Sequence, residues 1–390
     1  MSQREKNDYI KFRSLPKSFM TICGLWYYEN SSLIYRIIPY KQIAICCTIA
    51  LGMLKYIYEN HSNLAIVIKC LSLATGYLFV IFKVMCFTLN KEDLNNLQKA
   101  LDPYLEETLK DLKISKFILK NVSIFKYITK VYTAIIIFTS LFYVCIPLFL
   151  IFYVNHHHIN VTHYPGLYQT SYLWARPAKG LGYQIQYLFE VFGAYTLAVV
   201  TISVDTLFML YIFQIVGRLR IISYNISHSG DDKNVLSASV AHYAKLIKYI
   251  ALLQKIYGPI TLITVVTNAV IICTVLFQLS HVSYLINLKT MNFLTSHLSL
   301  KTLQTFLYSW SGSVLIEESE KCQYAVYTSN WYGNKKLMTS IVIVLSQPPL
   351  VLTACNFSII NVKVFVMVLN TSLSYFFLLQ TVEENNSNSK

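Results

Sequence analysis

The sequence predicts an all-α integral membrane protein: seven transmembrane helices, a cytoplasmic N-terminus, an extracellular C-terminus and a cytoplasmic helical anchor region. Three observations predict it. Of the 390 residues, 55% are hydrophobic and only 13% are charged, against about 25% charged in soluble domains. Several apolar runs reach the roughly 20 residues that cross a bilayer core. Lys and Arg collect in alternate loops between those runs, as they do when one set of loops stays in the cytoplasm.

Residues 1–41 are basic and weakly apolar, and predict a cytoplasmic hairpin or membrane-surface segment around Phe19–Tyr28. The first span is placed at Gln42–Tyr58. The short link Glu59–Asn63 makes the second, Leu64–Leu89, its antiparallel neighbour. Residues 90–130 are charged, but Leu94, Leu97, Leu101, Leu105, Leu109 and Leu112 recur at spacings of three and four. That is one apolar face of a helix packed as a cytoplasmic extension of the third span. The third span, Val131–Val154, contains Pro147. A loop, Asn155–Gly182, leads to the fourth, Tyr183–Leu210. Residues 211–257 form a second cytoplasmic segment with a polar turn at Ser229–Asn234, followed by span five, Gly258–Tyr284. Span six, Thr302–Ile316, is less apolar and recruits flanking polar residues.

The last apolar run, Leu337–Val382, holds 46 residues. As one helix it would be about 69 Å long, against a hydrocarbon core of about 30 Å. Pro348-Pro349 splits it. Leu337–Gln347 is too short to cross, so it is expected as an inner helix buried by protein, and Ser358–Val382 is expected as the seventh span. The whole is one membrane domain over 1–390, with span six, the inner helix and the last span in 301–382 and an external tail at 383–390.

Lys plus Arg number 7, 8, 6 and 3 in the segments assigned inside, and 0, 2, 2 and 1 in those assigned outside. The sequons at Asn60 and Asn160 then fall outside, although Asn121 and Asn225 match as well and fall inside. The net charge of +14 reads as basic loops facing anionic membrane lipid rather than as a nucleic-acid surface. None of the nine cysteines lies in an external segment, so no external disulfide framework is expected. The N-terminus lacks the apolar core of a signal peptide.

The topology is the reverse of a G-protein-coupled receptor. No GxxxxGK[ST] phosphate loop is present, and no inverted repeat of a secondary transporter is found. No catalytic triad spacing occurs, so an enzyme is not expected. His156-His157-His158 cannot all face one ion from a regular element and read as an irregular loop; no metal or cofactor is expected. Lys55 and Lys83 lie near span ends and are expected to snorkel. Lys69 and Glu190, both in outer halves, are candidates for a pair or for the rim of a polar cavity, with independent snorkelling as the competing account.

The outer halves of spans two, three, four and six concentrate aromatic and small residues: Thr75, Tyr77, Phe79, then Phe138, Phe142, Tyr143, then Phe189, Glu190, Gly193, and Phe306, Tyr308. An apolar pocket with few polar groups suits a small volatile ligand. Ordinary helix packing is the competing account of any one of these positions.

One set of residues is distinctive in order and spacing: Gln304-x-Phe306-Leu307-Tyr308, Gly312, Ser319-Glu320, Ala325-x-Tyr327, Trp331-Tyr332, Ser346-x-x-Pro349, Phe357, Phe365 and Ser374-Tyr375. With Asp205 and His242 upstream, it resembles the insect odorant receptor family, and the likeness runs through essentially the whole chain. The sister gustatory receptors end in Thr-Tyr, five apolar residues and Gln-Phe. Here Ser374-Tyr375 is followed by four and then Gln380-Thr381, which favours the odorant branch. The resemblance implies a tuning, ligand-binding subunit rather than the co-receptor, in a heteromeric ligand-gated cation channel. Its implied partners are the odorant receptor co-receptor, in a tetramer, a small volatile organic ligand and membrane lipid. It implies a plasma-membrane location in sensory dendrites, a pore lined by the last helix, a gate at Leu378 and Thr381 and Val382 just outside it. A gustatory-type channel acting without the co-receptor and a membrane transporter remain the alternatives.

Overall fold

In the computed structural model, residues 2–28, 31–108, 115, 117–158, 161, 163–174, 177–228, 232–280, 288–329 and 335–388 are described. The turn at Ser229-Gly230-Asp231, the sequon at Asn160, Leu109, Leu112, Tyr284 and the Trp331-Tyr332 pair lie outside them. The chain runs α1 (Ser2–Ile22), α2 (Leu33–Glu59), α3 (Leu64–Leu89), α4 (Lys91–Thr108), α5 (Val122–His156), α6 (Leu181–His228), α7 (Lys233–Ser280), α8 (Leu288–Tyr327) and α9 (Lys335–Ser346). Two-residue strands β1 (Thr353–Ala354) and β2 (Ser358–Ile359) and the last helix, α10 (Val362–Asn388), follow. Among the described residues, six helices are long and apolar enough to cross a membrane: α2, α3, α5, α6, α7 and α10. The seventh, α8, is 40 residues long but carries serines, a glutamine and glutamates through its middle.

Local signals start these helices where they start. The Ser32 side chain accepts from the Tyr35 amide and caps α2, and Asn63 caps α3 through the Ile66 amide. Asn121 takes a left-handed φ of 66° before α5, a conformation asparagine tolerates.

The fold is built around α6. At 48 residues it is about 72 Å long, more than twice the hydrocarbon core. Every residue from Ile202 to Ile222 is buried, and a helix covered all round belongs in the middle of a bundle. Helices α1, α2, α3, α4, α5, α7 and α8 all pack on it. The boundary expected between Leu210 and Tyr211 is therefore not a break. Span four and the following cytoplasmic segment form one rod, which returns as α7, also 48 residues.

The N-terminal segment is the clearest departure from the sequence expectation. Rather than a hairpin lying at the membrane surface, α1 is a single helix docked against α5 and α6. Its Tyr9 and Phe12 enter an aromatic cluster with Phe125 and Phe213, ring centroids 5.3–6.3 Å apart. Charged groups fix it there. Lys126 meets Asp8 at 2.5 Å and Arg13 meets Asp102 at 2.8 Å; Gln214 donates to the same Asp102 at 2.6 Å. On α4, Leu94, Leu97 and Leu101 are buried. Arg220 ties the far end together, donating to the Lys120 carbonyl at 2.6 Å and to Glu318 at 3.0 Å.

The inner helix α9 buries Ile341 and Val344 but leaves Val342 and Ile343 exposed. Beyond the two prolines the Leu350 amide donates to the buried Ser319 hydroxyl at 2.8 Å. A hairpin follows, with Cys355 and Asn356 both at positive φ. Residues Ser358 and Ile359, expected as the start of the last span, are its second strand. The crossing helix begins only at Val362, whose amide donates to Ser313 at 2.9 Å. Gly312 is what lets this segment reach α8: a Cβ there would lie 2.1 Å from the Ile360 carbonyl oxygen. Helix α10 then packs on α7 and α8 and leaves Met367, Tyr375, Phe377, Leu378 and Val382 exposed.

Gly312→Ala should lower the melting temperature of the purified protein by several degrees, since backbone must shift. Gly76→Ala, whose Cβ would meet nothing nearer than 3.7 Å, should not. A second expectation concerns pH. Burial pushes the Glu318 carboxyl up, but the Arg220 hydrogen bond and charge, helped by Lys321, outweigh it and leave it below its ordinary value of 4.5. A depressed carboxyl stabilises the folded state above its unfolded value and loses that contribution as pH falls through the folded one. Melting curves from neutral pH down to below 4.5 should therefore show a steeper loss for wild type than for Glu318→Gln.

Candidate functional site

Midway along α6, Asp205 is 1% exposed and accepts four hydrogen bonds. Lys83 of α3, fully buried, meets Oδ1 at 2.6 Å, and the Tyr308 hydroxyl of α8 donates to the same oxygen at 2.7 Å. Oδ2 accepts from Tyr132 of α5 and, at 2.7 Å, from Gln304 of α8. The Gln304 Oε1 in turn accepts from Asn268 of α7 at 3.2 Å and from Lys301 at 3.3 Å. One carboxylate thus gathers α3, α5, α6, α7 and α8. Lys83 does not snorkel, contrary to expectation. It sits deep enough that its charge is held by pairing rather than by reaching water.

Above this knot lies a cavity of about 90 Å³, well beyond the roughly 10–15 Å³ that one water needs. Its apolar walls include Leu73 and Gly76 of α3, Ile136 of α5, Leu197 of α6 and Ile271 of α7. The basic side chains Lys301 and His297 and the Gln304 amide come from α8, and the hydroxyl residues Ser72, Thr139, Ser140 and Thr201 also line it. Tyr77 of α3 and Tyr168 of the 161–180 loop border one side, their hydroxyls 2.7 Å apart and their rings edge to face. Tyr143 packs beside Tyr168, ring centroids 5.7 Å apart.

The loop is held down by Glu190. Its Oε2 accepts from the Leu167 and Tyr168 amides at 2.9 and 3.4 Å, and its Oε1 from Tyr172, Gln186 and Thr170 at 3.2, 3.3 and 3.4 Å. The Ser171 amide donates to the Gly52 carbonyl, and Lys55 to the Tyr172 carbonyl. Lys69 is exposed and does not pair with Glu190. The carboxylate's charge is met by five loop and helix donors instead, so the candidate pair is not formed.

Of the residues singled out by sequence, Tyr77 and Tyr143 line the cavity. Glu190 and Phe189 support the loop; Phe189 meets Tyr172 edge to face. Gly193 lets α6 approach Ile49 and Tyr77, for a Cβ there would meet both. Thr75 bonds back to the Ser72 carbonyl, and Phe79 lies 4.7 Å beneath the Lys83 ammonium. Phe138 is exposed and packs on Phe142. Phe306 meets Trp310 and Phe365, and Tyr308 belongs to the Asp205 knot. Leu378, Thr381 and Val382 lie on the exposed side of α10, away from the cavity. Sequence reasoning missed Tyr168 in the loop and the pair His297 and Lys301, the latter counted with an external loop. A stripe at 301, 304 and 308, spaced three and four along one helix, was the available signal.

Comparison with known proteins places this architecture. The sequence profile of the family described as 7tm Odorant receptor matches residues 63–373. Odorant receptor 13a of Drosophila melanogaster is 23% identical over 251 residues, 56% of this chain and 58% of that one. Odorant receptor 82a of the same species is 24% identical over 210 residues, 52% and 54% of the two chains. The chain thus spans just over half the length of these curated relatives. The odorant receptor coreceptor of Anopheles gambiae is 24% identical over 143 residues, 36% of this chain and 30% of that one. The olfactory receptor OR5 of Machilis hrabei, solved in complex with eugenol, superposes with a TM-score of 0.79 over 96% of this chain and 100% of that one, at 16% identity. That likeness establishes the fold, a multi-pass bundle of seven membrane-spanning helices.

Lys83→Met should leave a buried carboxylate short of its cation and destabilise the protein by about 3–5 kcal/mol. Lys83→Met combined with Asp205→Asn should recover part of that loss. Melting of the purified variants measures both.

Proposed function

The chain belongs to the 7tm odorant receptor family, and on that premise we propose that it is the ligand-binding, tuning subunit of a heteromeric ligand-gated cation channel. The supporting observation is the cavity between α3, α5, α6, α7 and α8, bordered by Tyr168 of the Glu190-anchored loop. A small volatile organic molecule, of the class that eugenol represents for the receptor of like fold, occupies it. Tyr77 and Tyr143 contact that molecule directly. Phe189, Glu190 and Gly193 shape the site from behind, and Thr75, Phe79, Phe138, Phe142, Phe306 and Tyr308 set the packing around it. The partner is the odorant receptor co-receptor, in an assembly of four subunits at the plasma membrane of a sensory dendrite.

Helix α10 lines the pore in this reading. Its exposed apolar side, with Leu378 at the narrowest ring and Thr381 and Val382 beyond, fits a constriction that closes by dewetting. Contacts connect cavity and helix: Gln304 bonds Asn268 on α7, and one residue on, the Ala269 carbonyl accepts from Ser372 of α10 at 3.0 Å. A ligand that binds the open arrangement better than the closed one shifts the population toward it in proportion to that difference.

Expression with and without the co-receptor tests the proposal. An odorant panel should evoke cation current only when both chains are present, and Leu378→Ala should raise basal current. Current from this chain alone would favour the gustatory-type reading, and saturable uptake without current a transporter.

A further inference from the structure

The cavity has a charge imbalance on its α8 side. Two cations, Lys83 and Lys301, lie against the same polar knot, and one carboxylate, Asp205, serves both. Lys83 takes it directly at 2.6 Å. Lys301 reaches it only through Gln304, whose Oε1 accepts from the Lys301 ammonium at 3.3 Å while its Nε2 donates to Asp205 at 2.7 Å. The other buried carboxylate of this half, Glu190, is turned into the loop and saturated by protein donors. Among the described residues lining the cavity, Lys301 and His297 are basic and none is acidic. Charge inside a membrane bundle is expensive unless it is matched, and the half-buried Lys301 has no carboxylate in direct contact among the described residues, so a ligand anion in the cavity can supply one.

We propose that the ligand of this cavity is a medium-chain monocarboxylic acid, bound as its carboxylate against the Lys301 ammonium with its alkyl chain along Leu73, Ile136 and Leu197. The inference rests on the cavity being the ligand site. An ionised carboxylate meets a charged donor at one end, and the apolar walls meet the chain. A charge-assisted hydrogen bond in such a setting is about twice as strong as a neutral one, which offsets part of the desolvation the acid undergoes on entry. Alcohols, aldehydes and esters of the same chain fit the walls but leave the Lys301 charge unmatched, so the site discriminates by charge rather than by length.

The test compares octanoic acid with octanol, octanal and methyl octanoate, in two measurements. In cells expressing this chain with the co-receptor, octanoate should open the channel at concentrations about tenfold or more below the three neutral analogues, the ratio expected of roughly 1.4 kcal/mol. With the purified protein in detergent, octanoate should raise the melting temperature and octanol should not. Lys301→Met should abolish the preference for the acid in both assays, and Lys301→Arg should keep it. The wild-type comparison needs no variant to fold. Equal or better responses to the neutral analogues, an unchanged preference in Lys301→Met, or stabilisation by oleic acid but not by octanoic acid would each overturn the inference. If neutral odorants gate the channel and the acid does not, the inference fails and the channel reading stands. If octanoate stabilises the purified protein through Lys301 but nothing gates a current, the channel reading fails and the inference stands.

Discussion

A single buried carboxylate organises the membrane half of this protein. Asp205 sits where α6 is enclosed on every side, and an unpaired charge there would be intolerable. Lys83, Tyr132, Gln304 and Tyr308 arrive from three other helices to satisfy both of its oxygens. Apolar helices in lipid gain little from packing on one another rather than on lipid, so polar contacts of this kind fix which face meets which. The rotation of α3, α5 and α8 about α6 follows from it, and so does the position of the cavity immediately above.

The inner half is organised differently. Beyond the bilayer the same rods α6, α7 and α8 continue into water, where apolar burial is a driving force again. Here α1 and α4 wrap around α6, the Phe213 cluster supplies the apolar contact, and Asp8, Asp102, Arg220 and Glu318 fix the register. One helix therefore serves two solvents. Its upper part carries two carboxylates, Glu190 and Asp205, each met by a shell of donors; its lower part carries Arg218 and Arg220, which donate to the Ala100 and Lys120 carbonyls, Arg220 also to Glu318. The hairpin and Gly312 join the two halves just before α10 sets out across the membrane.

The cavity and the knot are continuous. Gln304 belongs to both: it lines the cavity and completes the Asp205 shell. A molecule that enters the cavity meets the group that locks α7 and α8 together, and α10 is bonded to α7 one residue along from Asn268.

Much of this was legible in the chain. Hydropathy and length located six spans and the weaker seventh, because an apolar run of fixed length is what a bilayer demands. The double proline announced the split before the last helix. The order of Gln304, Tyr308, Gly312 and Ser374-Tyr375 pointed to the family, and Tyr77 and Tyr143 stood out as aromatics near a cavity. Only tertiary structure decided the partners. Lys83 looked like a snorkelling end residue, because a sequence gives the depth of a side chain along its helix but not the direction it faces. Lys69 and Glu190 shared a level yet face apart. The N-terminal helix looked like surface because its own apolar face is thin; it is buried because α5 and α6 extend past the membrane to receive it. Lys301 looked like a loop residue because α8 begins well before its apolar stretch. Composition fixes how many helices cross the bilayer, whereas which charges meet inside it depends on helix rotation, and that is set by all the neighbours at once.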